Sequence, residues 1–407
     1  MAEGFSVVIF VLHMDGRTDM QTATHKSQTP VPSVTAASEE LTDWDRKTYL
    51  KLISNELSAE QIARISTPAA IYPRQTSVLA VHWHPEFVPM DVIRERITAT
   101  FPNHTDELII PTQHNILMNY DSYAGVEVDC YSPSFKRKVQ LLIHFEAERV
   151  GEGKADVFKS MLAHTFKYRS RQLFEFIDTV INPEFEDRVQ EAATRTGAEE
   201  DLVAFARLHT RKLKRLFDEY EPATPPAMIK NKILTHYFDA LCEQFDPRMV
   251  NHATMFLKAI KAIVKAHFSL EFFYRTEEII EEVRGIGGGI VIPHPEQFWP
   301  ILLEDYDVDG YEVWNPQSQE YTEFHINVVD SQNKTMSARK KPVLIFMGDD
   351  CHMGEKARDP QQQDPEKAGR EIGVQPAWDD LAIRKSLIVA NANRKSVIDE
   401  YKARLSA

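Results

Sequence analysis

The sequence predicts an α/β protein whose short parallel strands close into a barrel or a related sheet, interrupted by a large all-α insertion. Three observations lead there. Seven short apolar runs, rich in Val, Ile and Leu and mostly not alternating, read as strands buried on both faces. The segment between the fourth and fifth runs carries helical periodicity instead. Metal-competent side chains stand at the C-terminal ends of the runs, where the strands of a parallel barrel open into one mouth.

Residues 1–76 form an N-terminal extension. Its first apolar stretch, FSVVIFVL at 5–12, has no basic segment before it, so it predicts a buried strand rather than a signal peptide. Residues 14–40 are rich in Thr, Ser, Gln and Pro and read as loop. A helix follows with Trp44, Tyr49, Leu50 and Ile53 on one face, and Ser58 with Gln61 has the spacing of a capping box for the next. The seven runs are SVLAVHWH (77–84), ELIIPTQH (107–114), YAGVEVD (123–129), KVQLLIH (138–144), GGIVIPH (288–294), GYEVWN (310–315) and PVLIFMGDDCH (342–352). They assign residues 77–150 and 285–355 to the metal-binding barrel and 151–284 to a helical insertion, which Pro183, Pro222, Pro225, Pro226 and Pro247 divide into about five helices. An insertion that follows a barrel strand is expected beside or over the mouth, where it shapes access. Residues 356–407 are a polar linker and a closing helix or two.

Composition narrows the function. The chain has 407 residues, with 47 Lys+Arg against 61 Asp+Glu, a formal charge of −14. That balance disfavours general nucleic-acid binding, since a phosphate backbone repels it. Three cysteines cannot build a disulfide framework, and no stretch reaches the ~20 apolar residues of a membrane helix, so cytoplasmic residence is the default expectation. The sequence leaves the oligomeric state open.

The chemistry lies in the placement of histidines. His82, His84, His114, His144, His294 and His352 all end predicted strands, and residues i and i+2 of a strand share a face, so His82 with His84 and Asp350 with His352 can each grip one ion. Glu127 ends another strand. Neutral imidazoles with carboxylates suit Zn, Mn or Fe, and the carboxylates supply the negative charge that several close divalent cations require. A lone strand-end histidine is more often a hydrogen-bonded residue; two HxH-type pairs and four further candidates in one order favour the metal reading.

These motifs resemble the PHP family, the polymerase and histidinol phosphatase superfamily. The chain has its HxH (His82-Trp83-His84), a His after the second strand (His114), GxE (Gly125-Val126-Glu127), a His on the next strand (His144), His-Pro (His294-Pro295) and DxH (Asp350-Cys351-His352) after Gly348, together with a GxEVxN-like strand at 310–315. The resemblance covers about residues 77–150 and 285–355. It implies a distorted seven-stranded (β/α)7 TIM-like barrel, two or three divalent ions per chain and phosphoesterase activity on a small phosphorylated molecule by metal-activated water. The implied ligands are His82, His84, His114, Glu127, His144, His294, Asp350 and His352, and Asp350, His352 and His294 are the implied catalytic residues. The loop after HxH departs from the family's Ser-Asp-Gly-like pattern, and Glu86 or Asp91 takes the place of its ligand. Hydrolysis of a C–N or lactone bond, or a non-catalytic metal-stabilised scaffold, are the alternatives.

Cations for a phosphate are not obvious. Lys136, Arg137 and Lys138 lie in the loop before the His144 strand, the wrong end of a parallel strand for a top-face site, and read as solvated. Arg339, Lys340 and Lys341 read as surface, and Arg94 serves only if it turns toward the mouth. Asn115, Asp129, Asn315 and Asp349 adjoin the strand ends as substrate contacts or supports for the ligands. Cys351 reads as a small buried hydrophobe facing away from Asp350 and His352.

Overall fold

The computed structural model describes residues 38–335 and 341–407. The run at 5–12, the stretch 14–37 and the cations Arg339 and Lys340 lie outside them. The described residues form ten strands: β1 (Ser77–Ala80), β2 (Trp83–His84), β3 (Asp106–Ile109), β4 (Met118–Tyr120), β5 (Tyr123–Ser132), β6 (Arg137–Glu146), β7 (Gly289–Ile292), β8 (Gly310–Trp314), β9 (Leu344–Met347) and β10 (Cys351–His352). The protein is mixed α/β, and its strands form three ladders: β1 with β3, β10 with β2, and a six-stranded sheet in the order β4-β5-β6-β7-β8-β9.

Two expectations change here. The ladders do not close into a seven-stranded parallel barrel. Single contacts run between them: Thr112 N, after β3, donates to Trp83 O of β2 at 2.8 Å, Asp350 N to His82 O at 2.9 Å, and His114 bridges Glu127 in parallel sense. Nor are all strands parallel, because β6 is antiparallel to both β5 and β7. The cause is chain length. β5 ends at Ser132 and β6 begins at Arg137, and so short a link can only turn back, whereas a parallel crossover needs about a dozen residues or more. Lys136, at φ 50°, sits in that turn. β6 therefore starts at the end of the sheet where its neighbours finish.

The register also depends on close approach. At Gly125 a Cβ would stand 2.4 Å from the Pro111 carbonyl oxygen, so only glycine lets β5 lie this near the segment after β3. Below the strand ends, Leu79, Leu108, Leu142, Val291 and Phe346 from all but the smallest ladder meet Tyr401 and Leu405 of the helix Arg394–Leu405, and all are buried. At ~1.5–3 kcal/mol for each large apolar side chain buried, this shared core holds together ladders that only single hydrogen bonds join.

Between β6 and β7 run seven α-helices, from Asp156–Phe166 to Thr276–Gly285, rather than five. Pro183, Pro222 and Pro226 open short 3₁₀ turns and Pro247 opens a helix at N1, so the proline positions do punctuate the block. The helix Asp43–Ile53 joins this block: Tyr49 bonds Thr224 at 2.8 Å, and Asp45 lies between Lys212 and Tyr237. On its face Tyr49 and Ile53 are buried but Leu50 is 41% exposed. Ser58 and Gln61 form the capping box. The segment expected as a polar linker is packed, with Glu355, Lys356 and Arg370 buried. Among the described residues no helix is long and apolar enough to cross a membrane.

Candidate metal centre

The strand ends gather His82, His84, Glu127, His294, Asp350 and His352, all but His352 nearly free of solvent, with His114 half-buried beside them. Three overlapping groups each place ligand atoms within 4.8 Å of one another: His84, His114 and His352; His82, His84 and Asp350; His82, Glu127 and His294. The His84 ring is stacked between His114, at a centroid distance of 4.5 Å, and His352, at 4.3 Å.

Asp350 turns one oxygen toward the imidazoles and Glu127 turns both. Asp350 Oδ2 accepts from Arg370 Nη1 at 2.7 Å and from Gln317, which leaves Oδ1 facing His84 Nε2 and His352 Nε2 at 3.4 Å each and His82 Nε2 at 3.6 Å. Glu127 Oε2 lies 2.6 Å from His114 Nδ1 and 3.6 Å from His84 Nε2, and its Oε1 lies 3.8 Å from His294 Nε2. Opposite charge outweighs the burial that opposes ionisation, so both carboxyls are held well below their usual range: Glu127 by His114 and His294, Asp350 by His352, His84 and His82.

Glu312 orients the set from behind. Its Oε1 pairs with His82 Nδ1 at 2.7 Å, which turns His82 Nε2 toward the cluster, and its Oε2 accepts from His294 N at 2.7 Å. Burial opposes a charged His82, but Glu312 prevails and raises it to about 10; His84, buried and flanked by His352 and His114, is pushed down to about 3. Glu312 fits only because residue 348 is glycine, where a Cβ would fall 1.3 Å from Glu312 Oε1. Glu86, Asn115, His294 and Asp350 all adopt positive φ, between 28° and 53°. Non-glycine residues reach that region at a cost, so four such residues in one place mark a site that the surrounding structure over-determines.

His144 does not belong to the cluster. Because β6 runs antiparallel, the end of that strand lies away from the mouth, where His144 Nδ1 bonds the Tyr401 hydroxyl at 2.8 Å and Nε2 bonds the Val81 carbonyl at 3.0 Å. The same reversal brings Lys138 to the mouth side, where it pairs with Asp129, itself held by Asn115 Nδ2 at 2.6 Å, and lies under the Tyr168 ring. Its expected solvated role is thereby corrected. Of the two loop carboxylates, Glu86 approaches the centre, with Oε1 3.7 Å from His352 Nδ1, while Asp91 is exposed in the first turn of the helix Met90–Thr100 and accepts from Val92 N. Arg94 pairs with Asp121 at the surface. Asn315 bonds Glu312, Asp349 accepts from Gly373 N, and Cys351 Sγ faces Arg370 O and Met353, away from the ligands.

Sequence reasoning missed Glu312, Arg370 and Gln317. Glu312 had a signal, a carboxylate inside the apolar run GYEVWN; nothing local marked Arg370 or Gln317.

The fit of a metal can be judged from unmet hydrogen bonds. His82 Nε2, both nitrogens of His84, His294 Nδ1 and His352 Nδ1 are buried with no hydrogen-bond partner among the described residues. An orphaned buried polar atom costs ~1–3 kcal/mol, so five such nitrogens on the four imidazoles that surround Glu127 and Asp350 describe a site shaped for cations. Imidazole and carboxylate donors match Zn, Mn and Fe.

No family model matches the sequence, and no curated protein matches it. A solved structure of a presumptive metal-dependent phosphoesterase from Bifidobacterium adolescentis is similar over 78% of this chain and 97% of its own, at 15% identity and a TM-score of 0.40. At that level a likeness decides neither fold nor activity.

Proposed function

We propose that the protein is a metal-dependent hydrolase that cleaves a phosphate ester of a small molecule. The observation that carries this reading is the set of buried, unpartnered imidazole nitrogens converging with inward carboxylate oxygens of Glu127 and Asp350. The motif order shared with the PHP superfamily supports it. So does the strand arrangement, which we read as a broken ring of seven segments, β1 with β2, β3, β5, β6, β7, β8, and β9 with β10, joined by the single bridges around one core.

Divalent ions, two or three of them, would be held by His82, His84, His114, Glu127, His294, Asp350 and His352, with Glu86 beside them. When bound, such ions lower the pKa of bound water from 15.7 to about 7 and neutralise phosphoryl oxygens. The chain's own part is positioning. Arg370 fixes Asp350 and keeps it ionised; Glu312 fixes His82 and the backbone of His294. Those imidazoles are locked against rotation before substrate arrives. His352 and His294 stand at the edge of the set and are the candidates to pass a proton to the leaving oxygen.

The test is metal analysis of the purified protein together with phosphate release from a panel of phosphomonoesters and diesters, with and without chelator. Bound Zn, Mn or Fe and chelator-sensitive phosphate release are expected. Chelator-sensitive cleavage confined to amides or lactones in a parallel panel would replace the phosphoesterase reading, and absence of bound metal would remove both.

A further inference from the structure

A cavity of about 510 Å³ opens beside the metal centre, between the helix Asp43–Ile53, the helical block and the loop after β2. Glu86 belongs to both places. Its Oε1 is 3.7 Å from His352 Nδ1 on one side and 3.8 and 4.0 Å from the ammonium groups of Lys230 and Lys232 on the other. Two cations therefore share one carboxylate that also faces His352, and positive charge is left over at this end of the cavity. Arg169, from the same block, adds to it: its Nη1 is buried with no hydrogen-bond partner among the described residues. Trp44, Phe87 and Ile233 give the wall an apolar part, while the carboxylates of Asp239 and Glu243 and the Arg358 guanidinium line the rest of it. The volume suits a small organic molecule.

We propose that Lys230 and Lys232 bind a second anionic group of the substrate, a carboxylate or phosphate on the alcohol side of the ester, and that the adjoining cavity holds its apolar body. This rests on the phosphoesterase reading for which ester is cleaved. The spacing agrees with it. The legs through Glu86 are 3.7 and 3.8 Å, so Lys230 Nζ and His352 Nδ1 are close enough for two anionic groups placed para on one aromatic ring to face them. One small molecule can reach both. An uncharged alcohol part would leave the excess charge unmet, whereas a second anion there gains charge-assisted hydrogen bonds.

Phenyl phosphate and 4-carboxyphenyl phosphate differ only by that second anion. Titration calorimetry on the chelator-treated protein should show the carboxylated ester bound about tenfold more tightly, the scale of one or two hydrogen bonds to charged groups. Lys230→Met with Lys232→Met should reduce the preference to less than twofold and leave phenyl phosphate unchanged, while Lys230→Arg with Lys232→Arg should keep it. Equal affinity in the wild type, a preference that survives in the methionine variant, or equal loss of both esters would each overturn the assignment; the last would mean that the lysines take the reacting phosphate. If the methionine variant misfolds by circular dichroism, Lys230→Gln alone serves with the wild-type comparison. Binding is read without metal or turnover, so the two failures are told apart: no hydrolysis of either ester once metal is restored strikes the phosphoesterase reading, whereas loss of the calorimetric preference strikes the role of the two lysines.

Discussion

Two buried polar clusters, one in each half of the molecule, are built in opposite ways. In the helical block, Asp45 has both oxygens satisfied: Oδ2 accepts from Thr42 N and Oγ1 at 2.8 Å each and from Lys212 at 3.0 Å, and Oδ1 from Tyr237 at 2.7 Å. At the strand ends, five imidazole nitrogens are buried with nothing to bond among the described residues. The first cluster completes itself with its own side chains and serves the fold. The second is rigid yet incomplete, which is the signature of a place finished by something other than protein.

The sharpest way to break that contrast is Asp350→Asn. The amide is nearly isosteric but neutral, so far-ultraviolet circular dichroism should not change, while metal-dependent phosphate release should fall about a thousandfold, about 4 kcal/mol in transition-state stabilisation. Wild-type turnover at saturating metal would remove Asp350 from the site.

Asp45→Asn should do the reverse. It leaves Lys212 buried without a charged partner and should cost about 3 kcal/mol of stability in denaturant titration, with unchanged turnover per folded molecule. This penalty carries a pH signature. Burial raises the Asp45 pKa, but the Thr42 amide, Tyr237 and Lys212 together outweigh it and hold the carboxyl below its ordinary value. A depressed folded pKa gives stability that is present above the unfolded value near 3.9 and lost as pH falls through the folded one. The gap between wild type and variant should therefore be full at pH 6 and narrow below about pH 4. A gap constant with pH would mean that Asp45 acts only by shape.

The smallest effect separates the clusters by ligand. Adding Zn or Mn at a hundred times the dissociation constant should stabilise the wild type by about 2.7 kcal/mol over the chelated protein, and Asp45→Asn by the same increment, because that cluster takes no ion. Asp350→Asn should gain measurably less. Equal gains in all three would place the bound ion elsewhere.

The sequence reveals these features unevenly. His82 with His84 and Asp350 with His352 were legible because a strand's period of two puts such pairs on one face, and they do share a group or a carboxylate oxygen. His144 followed the same rule and went astray, since period alone does not report strand direction. The eight residues between the runs ending at Asp129 and starting at Lys138 were too few for a crossover, and that count held the missing information. Lys138 was misplaced for the same reason. Arg370 could not be read at all: its partner Asp350 is 20 residues away, across a segment whose polar composition hides that it packs. Leu50 was misjudged because helical periodicity marks a face but not how far the facing element extends.

The pairing of His82 with Glu312 spans 230 residues, and Gln375 Nε2 reaches the Leu79 carbonyl across 296. As the chain emerges from a ribosome, the first metal-binding histidines are therefore made long before the carboxylates and the guanidinium that position them. β2 waits for β10, and the core under the strand ends waits for the helix Arg394–Leu405. The helical block between can fold meanwhile on contacts of shorter range. On the metal-centre reading proposed above, loading is then a late event in biosynthesis: an ion that reaches the nascent chain would find paired imidazoles without Glu312, Asp350 and Arg370, and retention would begin only when the C-terminal segment has docked.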